Sequence, residues 1–168
     1  MATRLFDITL ANILVLILLI AQVHLVHSQD VQWPIHTVCN SERLTITYRS
    51  CDPLQDVGFT LLPCPNKLTD PIKIRLALIL RQSVHELYSS AVLLLNGYEM
   101  LTWNEPLCLP HFQRFTFCGS RRGEIMTLDS SFQLKTDIPL KGYFTLLLNA
   151  INQDGFQIAC VNATLSFK

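Results

Sequence analysis

The sequence predicts an all-β fold, a sandwich of antiparallel sheets. Three observations carry that expectation. Short apolar segments are separated by clusters of Pro, Gly, Asn and Asp. About eight such segments fit into the last 140 residues, a density typical of sandwiches. Six cysteines, an even number, all lie among them.

Length and composition bound the rest. A chain of 168 residues accommodates one domain comfortably. Charged residues make up 15%, below the roughly 25% of an average globular chain, and 49% of residues are apolar, which excludes intrinsic disorder. The 13 Lys+Arg balance the 13 Asp+Glu, which argues against nucleic acid as a partner.

The excess hydrophobicity is concentrated at the N-terminus, where 19 of the first 28 residues are apolar. Arg4 precedes an unbroken apolar stretch from Ile13 to Ala21, too short for a hydrocarbon core that needs about 20 residues. A charged start, apolar middle and small-residue end predict a signal peptide over 1–28, cleaved after Ser28. An uncleaved anchor over 8–26, interrupted by Asn12, Gln22 and His24, is the alternative. Residues 29–168 then form a single secreted, extracellular domain. In that compartment the six cysteines (Cys39, Cys51, Cys64, Cys108, Cys118 and Cys160) read as three disulfides with fifteen connectivities. Their spacings do not resemble a zinc site, and Cys108 with Cys118 is the natural local pair. Asn162-Ala163-Thr164 is the one glycosylation sequon, and its use requires Asn162 to face solvent.

Along the chain, Leu44, Ile46 and Tyr48 alternate with polar neighbours over 43–49, a half-buried strand. Asp52-Pro53 ends it, and 58–62 restarts an apolar run before the loop at Pro63, Pro65 and Asn66. Ile72, Ile74, Leu76, Leu78 and Leu80 share one parity in the next strand. Over 83–91 the signals conflict: Ser83 and Glu86 have capping-box spacing, and Val84, Leu87, Tyr88 and Ala91 fit a helical face, which favours a turn or two of helix. Asn96-Gly97 is a strong turn signal. Further strands are expected over 115–118, 124–128, 131–135, 142–151 and 156–167, the last two joined by the turn at Asn152-Gln153-Asp154-Gly155. Regular alternation from Phe156 through Ile158 and Cys160 would bury Asn162. A bulge or twist is therefore expected near 160–163, after which Leu165 faces inward.

No catalytic pattern emerges. The mature part holds three scattered histidines, His36, His85 and His111, and no G-x-S-x-G, H-E-x-x-H, P-loop or dinucleotide fingerprint. Asp52 and Asp56 read as turn chemistry, and His85-Glu86 as an exposed turn. No catalytic residue, metal or cofactor is expected. What remains is a binding protein. The surplus apolar residues around Leu76–Leu80 and at Leu147 either make a dense core or line a cavity for an apolar ligand. Arg121 and Arg122 in one loop, and Lys135 and Lys141 flanking another, are either solvated loop charges or cations for a phosphate or carboxylate head group.

Longer stretches carry a resemblance. Cys51-Asp52-Pro53-Leu54-Gln55-Asp56 with Gly58-Phe59, Ile72-Lys73-Ile74-Arg75 with Ile79-Leu80-Arg81, Phe115-Thr116-Phe117-Cys118-Gly119 with Arg121-Arg122-Gly123-Glu124, and Ala159-Cys160-Val161-Asn162-Ala163-Thr164 are similar to the lipid-recognition (ML) domain family. That group includes the endotoxin co-receptor of a Toll-like receptor and lysosomal sterol carriers, and the likeness runs from about Trp33 to the C-terminus in register with all six cysteines.

The resemblance implies an immunoglobulin-like β-cup of two antiparallel sheets with a deep hydrophobic cavity, binding a phospholipid or lipid A-like ligand. It also implies a partner, a leucine-rich-repeat Toll-like receptor homologue of B cells, with membrane contact only through that receptor, and a role in responses to bacterial lipopolysaccharide. It pairs Cys39 with Cys64, Cys51 with Cys160 and Cys108 with Cys118, and it replaces the helical reading with a strand over 87–95. By position, Val57, Phe59, Leu61, Ile74, Leu76, Val84, Leu87, Leu93, Phe115, Phe132, Leu134, Phe144, Leu146, Leu148 and Leu165 would line the cavity. Lys135 and Lys141, with Arg121 and Arg122 more loosely, would be cations at its mouth. Departures are Ser120 where a basic residue is usual, Ser89 and Ala91 where the endotoxin-binding relative has larger groups, and Trp103 where it has a cation. A less basic mouth implies weaker recognition of bis-phosphorylated lipid A. A free lipid carrier without a receptor, and a filled sandwich acting as an adhesion or cytokine-like ligand, are the competing readings.

Overall fold

The computed structural model describes residues 32–65, 69–133 and 141–168, without the side chain of Phe132. The expected signal peptide, Leu134 and Lys135 lie outside the described residues. All regular structure among them is β: β1 (His36–Asn40), β2 (Leu44–Ser50), β3 (Gly58–Leu62), β4 (Ile72–Ile79), β5 (Leu87–Leu95), β6 (Tyr98–Leu109), β7 (Phe112–Gln113), β8 (Ile125–Phe132), β9 (Gly142–Asn152) and β10 (Gln157–Phe167). They form two antiparallel sheets, one ordered β1-β2-β10-β9-β5-β6-β7 and the other β3-β4-β8.

The strands follow from side-chain parity. In β2, Leu44, Ile46 and Tyr48 are buried and their neighbours half-exposed, as the alternation predicts. Asn96 (φ 52°) and Gly97 (φ 84°) both take left-handed backbone, the conformation that joins β5 to β6 in a two-residue hairpin.

Four local expectations are corrected. Residues 83–86 form no helix, because the carbonyls that would accept its first bonds are taken: Ser83 O accepts from Asn152 Nδ2 at 3.0 Å and Val84 O from Gly119 N at 2.7 Å. The backbone N–H groups of His85 and Glu86 both donate to Gln153 Oε1 at 3.1 Å, and Ser83 Oγ accepts from Arg122 N at 3.2 Å. The segment 115–118 is a pair of turns rather than a strand: Cys118 N donates to Phe115 O and Ser120 N to Phe117 O, each at 3.1 Å. The strands expected over 124–128 and 131–135 are one strand, β8, pairing continuously with β4 from Ile125 to Phe132. The register break in β10 falls between Gln157 and Ala159, just before the expected 160–163. Its consequence is the anticipated one: Val161 and Ala163 are buried and Asn162 is exposed. Three strands, β1, β6 and the two-residue β7, had no sequence signal strong enough to be expected.

The disulfides pair Cys39 with Cys64, Cys51 with Cys160 and Cys108 with Cys118, with Cα separations of 5.2, 5.1 and 5.5 Å. The first ties β1 to the segment after β3, and so clasps one sheet to the other. Asp52 is buried, caps its own turn by accepting from Leu54 N at 2.9 Å, and pairs with Arg81 Nη2 at 3.0 Å. This ion pair holds the turn after β2 against the end of β4.

The interior divides along the strands. At the end where β4 finishes, Leu80, Val84, Leu87, Phe117 and Met126 pack into a filled core. There the segments around 80–84 and 119–124 are sewn together by four backbone hydrogen bonds: Leu80 N to Glu124 O, Gly123 N to Leu80 O, Val84 N to Ser120 O and Gly119 N to Val84 O, at 2.7–2.9 Å. At the other end, Leu44, Ile46, Leu61 and Ile72 form a second cluster.

Candidate functional site

A lumen of about 190 Å³ lies between the sheets beside that second cluster. The seven-stranded sheet supplies Leu44, Ile46 and Tyr48 from β2, Leu146 and Leu148 from β9, and Val161, Ala163, Leu165 and Phe167 from β10. The opposite wall comes from Phe59 and Leu61 on β3 and Ile72, Ile74 and Leu76 on β4, with Pro65 from the following segment. The arrangement follows from register. Ala163 stands opposite Tyr48 on one side and Leu146 on the other, and Leu165 opposite Ile46 and Phe144, so one parity of three adjacent strands faces inward.

Every wall residue is apolar except Tyr48, and its hydroxyl is occupied. Tyr48 Oη donates to Val57 O at 2.7 Å and accepts from Phe59 N at 3.1 Å. Burial pushes this phenol above its ordinary value; the hydrogen bond from Phe59 pulls it down in part, and the Asp56 carboxylate adds to the rise. The ring also stacks on His36 at 4.8 Å and meets Phe59 edge-on at 5.7 Å. His36 Nε2, on β1, in turn contacts Asp56 Oδ2 at 2.8 Å, in the segment that leads into β3. An uninterrupted apolar wall offers no anchor for a polar substrate and a favourable surface for hydrocarbon.

Of the residues placed at the cavity by resemblance, Phe59, Leu61, Ile74, Leu76, Leu146, Leu148 and Leu165 stand in this wall. Others sit elsewhere. Val57, Val84 and Leu87 belong to the filled core, with at most 1% of their surface exposed. Phe115 packs beside that core, its ring stacked on Phe117 at 5.1 Å. Phe144 is buried on the same inward face, edge-on against the wall residue Phe167 and opposite Leu165, and Leu93 is half-buried on β5 opposite Leu146. Phe132 is described in its backbone alone, at the β8 position opposite Ile72.

Arg121 and Arg122 are exposed in the loop before β8, next to Ile125, whose partner is Ile79. That is the filled end of the sandwich, away from the residues that line this lumen. Lys141 is exposed beside Gly142, which pairs with Phe167 at the lumen end. Two further cations gather there unanticipated: Arg43 precedes Leu44, and its carbonyl accepts from Lys168 N at 2.9 Å. The wall residues missed by sequence reading include Val161, Ala163 and Phe167, whose inward parity is set by the register break at Gln157–Ala159. Leu44, Ile46 and Tyr48 had the signal, a clean alternation, but nothing in it separates a core from a lumen.

Among the described residues no group of three or more His, Cys, Asp or Glu could hold a metal ion, and no helix is long and apolar enough to cross a membrane.

No protein-family model matches the chain. Known proteins do. Lymphocyte antigen 86 of Gallus gallus is 37% identical over 155 residues, covering 92% of this chain and 94% of that protein. Lymphocyte antigen 86 of Homo sapiens is 35% identical over 133 residues, covering 79% of this chain and 82% of that protein. Among solved structures, chicken MD-1 complexed with lipid IVa superposes with a TM-score of 0.72 at 36% identity, covering 80% of this chain and 98% of that one.

Proposed function

Because the chain belongs to the lymphocyte antigen 86 family, we propose that it is a secreted lipid-binding accessory protein that modulates innate and B-cell responses to bacterial lipopolysaccharide. Residues 1–28 act as its signal peptide, and its partner is a leucine-rich-repeat Toll-like receptor homologue. The observation that carries the reading is the lumen whose wall is apolar from every strand that contributes to it. The solved relative, chicken MD-1, is in complex with lipid IVa, and the corresponding ligand here is a phospholipid or lipid A-like molecule.

The mechanism is binding rather than catalysis. Each methylene moved from water into the lumen contributes about 0.8 kcal/mol, so acyl chains hold the lipid without polar contacts inside. A lumen of about 190 Å³ is smaller than the roughly 300–1,000 Å³ of pockets that enclose whole small molecules, so uptake of more than one chain widens it. Among the described residues the two sheets share no hydrogen-bonded ladder, so widening breaks neither sheet, while the Cys39–Cys64 disulfide keeps the two tied. Lys141, with Arg43 and Lys168 at the same end and Lys135 beyond the described residues, meets the phosphates of the head group. Phe59, Leu61, Ile74, Leu76, Leu146, Leu148 and Leu165 contact the chains.

The test is lipid extraction and native mass spectrometry on mature protein secreted from eukaryotic cells, with uptake of an apolar fluorescent probe alongside. Co-purifying lipid and probe uptake displaced by lipid are expected. Lipid-free protein that takes up no probe would sink the reading. Mixing with the receptor ectodomain then separates an accessory subunit, which forms a stable complex, from a free lipid carrier, which does not.

A further inference from the structure

The outer face of the seven-stranded sheet is unusual in having no charge at its centre. The three adjacent strands β10, β9 and β5 contain no Asp, Glu, Lys or Arg on either face. A well-behaved surface carries about 25–35% charged residues, and a neutral sheet face that presents aliphatic side chains invites association. Here Leu147 and Ile151 on β9 are each 38% exposed, with Val92 on β5 directly opposite Leu147. Asn162 lies in the same cross-strand row: its partners are Arg49 on β2 and Leu147 on β9, so the row runs Arg49, Asn162, Leu147, Val92. At about 4.8 Å per strand, Val92 stands about 10 Å from Asn162 across the sheet. The sequon, Asn162-Ala163-Thr164, thus lies on β10, the flank of the neutral face next to β2, with Asn162 and Thr164 both pointing outward and Leu147 as the next residue across the sheet.

We propose that an N-linked glycan on Asn162 covers this face, its inner sugars lying over Leu147 and Val92, and that protein partners dock elsewhere. The modification follows from the reading of the chain as secreted. During export Nδ2 of Asn162 attacks the anomeric carbon of a lipid-pyrophosphate-linked oligosaccharide. An N–C bond forms as the C–O bond to the pyrophosphate breaks, and the amide proton passes to a base of the transferase. The sugar supplies the hydration that the strands lack, at the one position where the cover reaches the aliphatic patch.

The test compares wild-type protein secreted from eukaryotic cells with Thr164→Ala, which removes the sequon, Thr164→Ser, which keeps it, and Leu147→Lys combined with Thr164→Ala, which charges the bare face. Intact mass reads Asn162 occupancy, and light scattering after gel filtration reads association. Wild type and T164S should carry the glycan and run as monomers. T164A should shift to dimers and larger species, and adding L147K should return it to monomer without any glycan. An unmodified Asn162 in exported protein, a T164A that stays monomeric, or an association that L147K leaves in place would each overturn the proposal. Probe uptake into the lumen, measured on the same samples, reports separately on lipid binding: exported protein that takes up probe with a bare Asn162 defeats the glycan alone.

Discussion

Tyr48 does two jobs at the boundary between the sheets. Its ring belongs to the lumen wall, while its hydroxyl satisfies Val57 O and Phe59 N, the backbone groups through which the chain enters β3. Tyr48→Phe keeps the ring and orphans both backbone groups in a site where the side chain is 4% exposed. A buried group left without its partner costs about 1–3 kcal/mol, so the urea midpoint should fall accordingly while probe uptake persists. The same residue sets an alkaline limit. Burial raises its proton affinity in the folded state above the ordinary value near 10, so the folded protein holds the phenolic proton more tightly than the unfolded chain. Its contribution is complete below about pH 10 and is lost as pH rises through the raised folded value. Wild type should therefore lose more stability than Tyr48→Phe between neutral and strongly alkaline pH, as read by denaturant unfolding across that range.

At the scale of the element, the Asn96-Gly97 hairpin shows what a local signal can settle. Gly97 has φ 84°, and a Cβ there would meet nothing within 4 Å. Gly97→Ala is therefore costly only through backbone conformation, and thermal unfolding should show a loss of about 1–2 kcal/mol without any packing defect. Signals of this kind, together with clean alternation in β2 and the shared parity of Ile72, Ile74 and Leu76 in β4, made most strands legible. Elements decided by distant partners were not. The capping-box pattern at Ser83 and Glu86 lost because Asn152 and Gly119, far along the chain, take the Ser83 and Val84 carbonyls a helix would have used. The β-favouring residues of 115–118 lost to a turn that brings Cys118 to Cys108. Strand β6 is mostly exposed from Tyr98 to Pro106 and so never acquires the alternation that marks a half-buried strand.

For the whole molecule, the question open in the sequence was whether its apolar surplus fills a core or surrounds a space. Both occur, at opposite ends of the same strands, and composition cannot separate them because Leu and Ile serve equally in each. The two ends should respond oppositely to substitution. Leu87, with 0% of its surface exposed in the filled core, should behave as an ordinary core residue, and Leu87→Ala should cost about 2–5 kcal/mol in chemical unfolding. Ala163 stands in the lumen wall between Tyr48 and Leu146. Enlarging a residue in a filled interior costs about 1–3 kcal/mol through overpacking. Ala163→Phe instead puts its ring into unoccupied volume, so its unfolding midpoint should stay level or rise while probe uptake falls at least tenfold. A destabilised Ala163→Phe with uptake intact would mean that the lumen is closed to ligand and that the hydrocarbon site lies elsewhere.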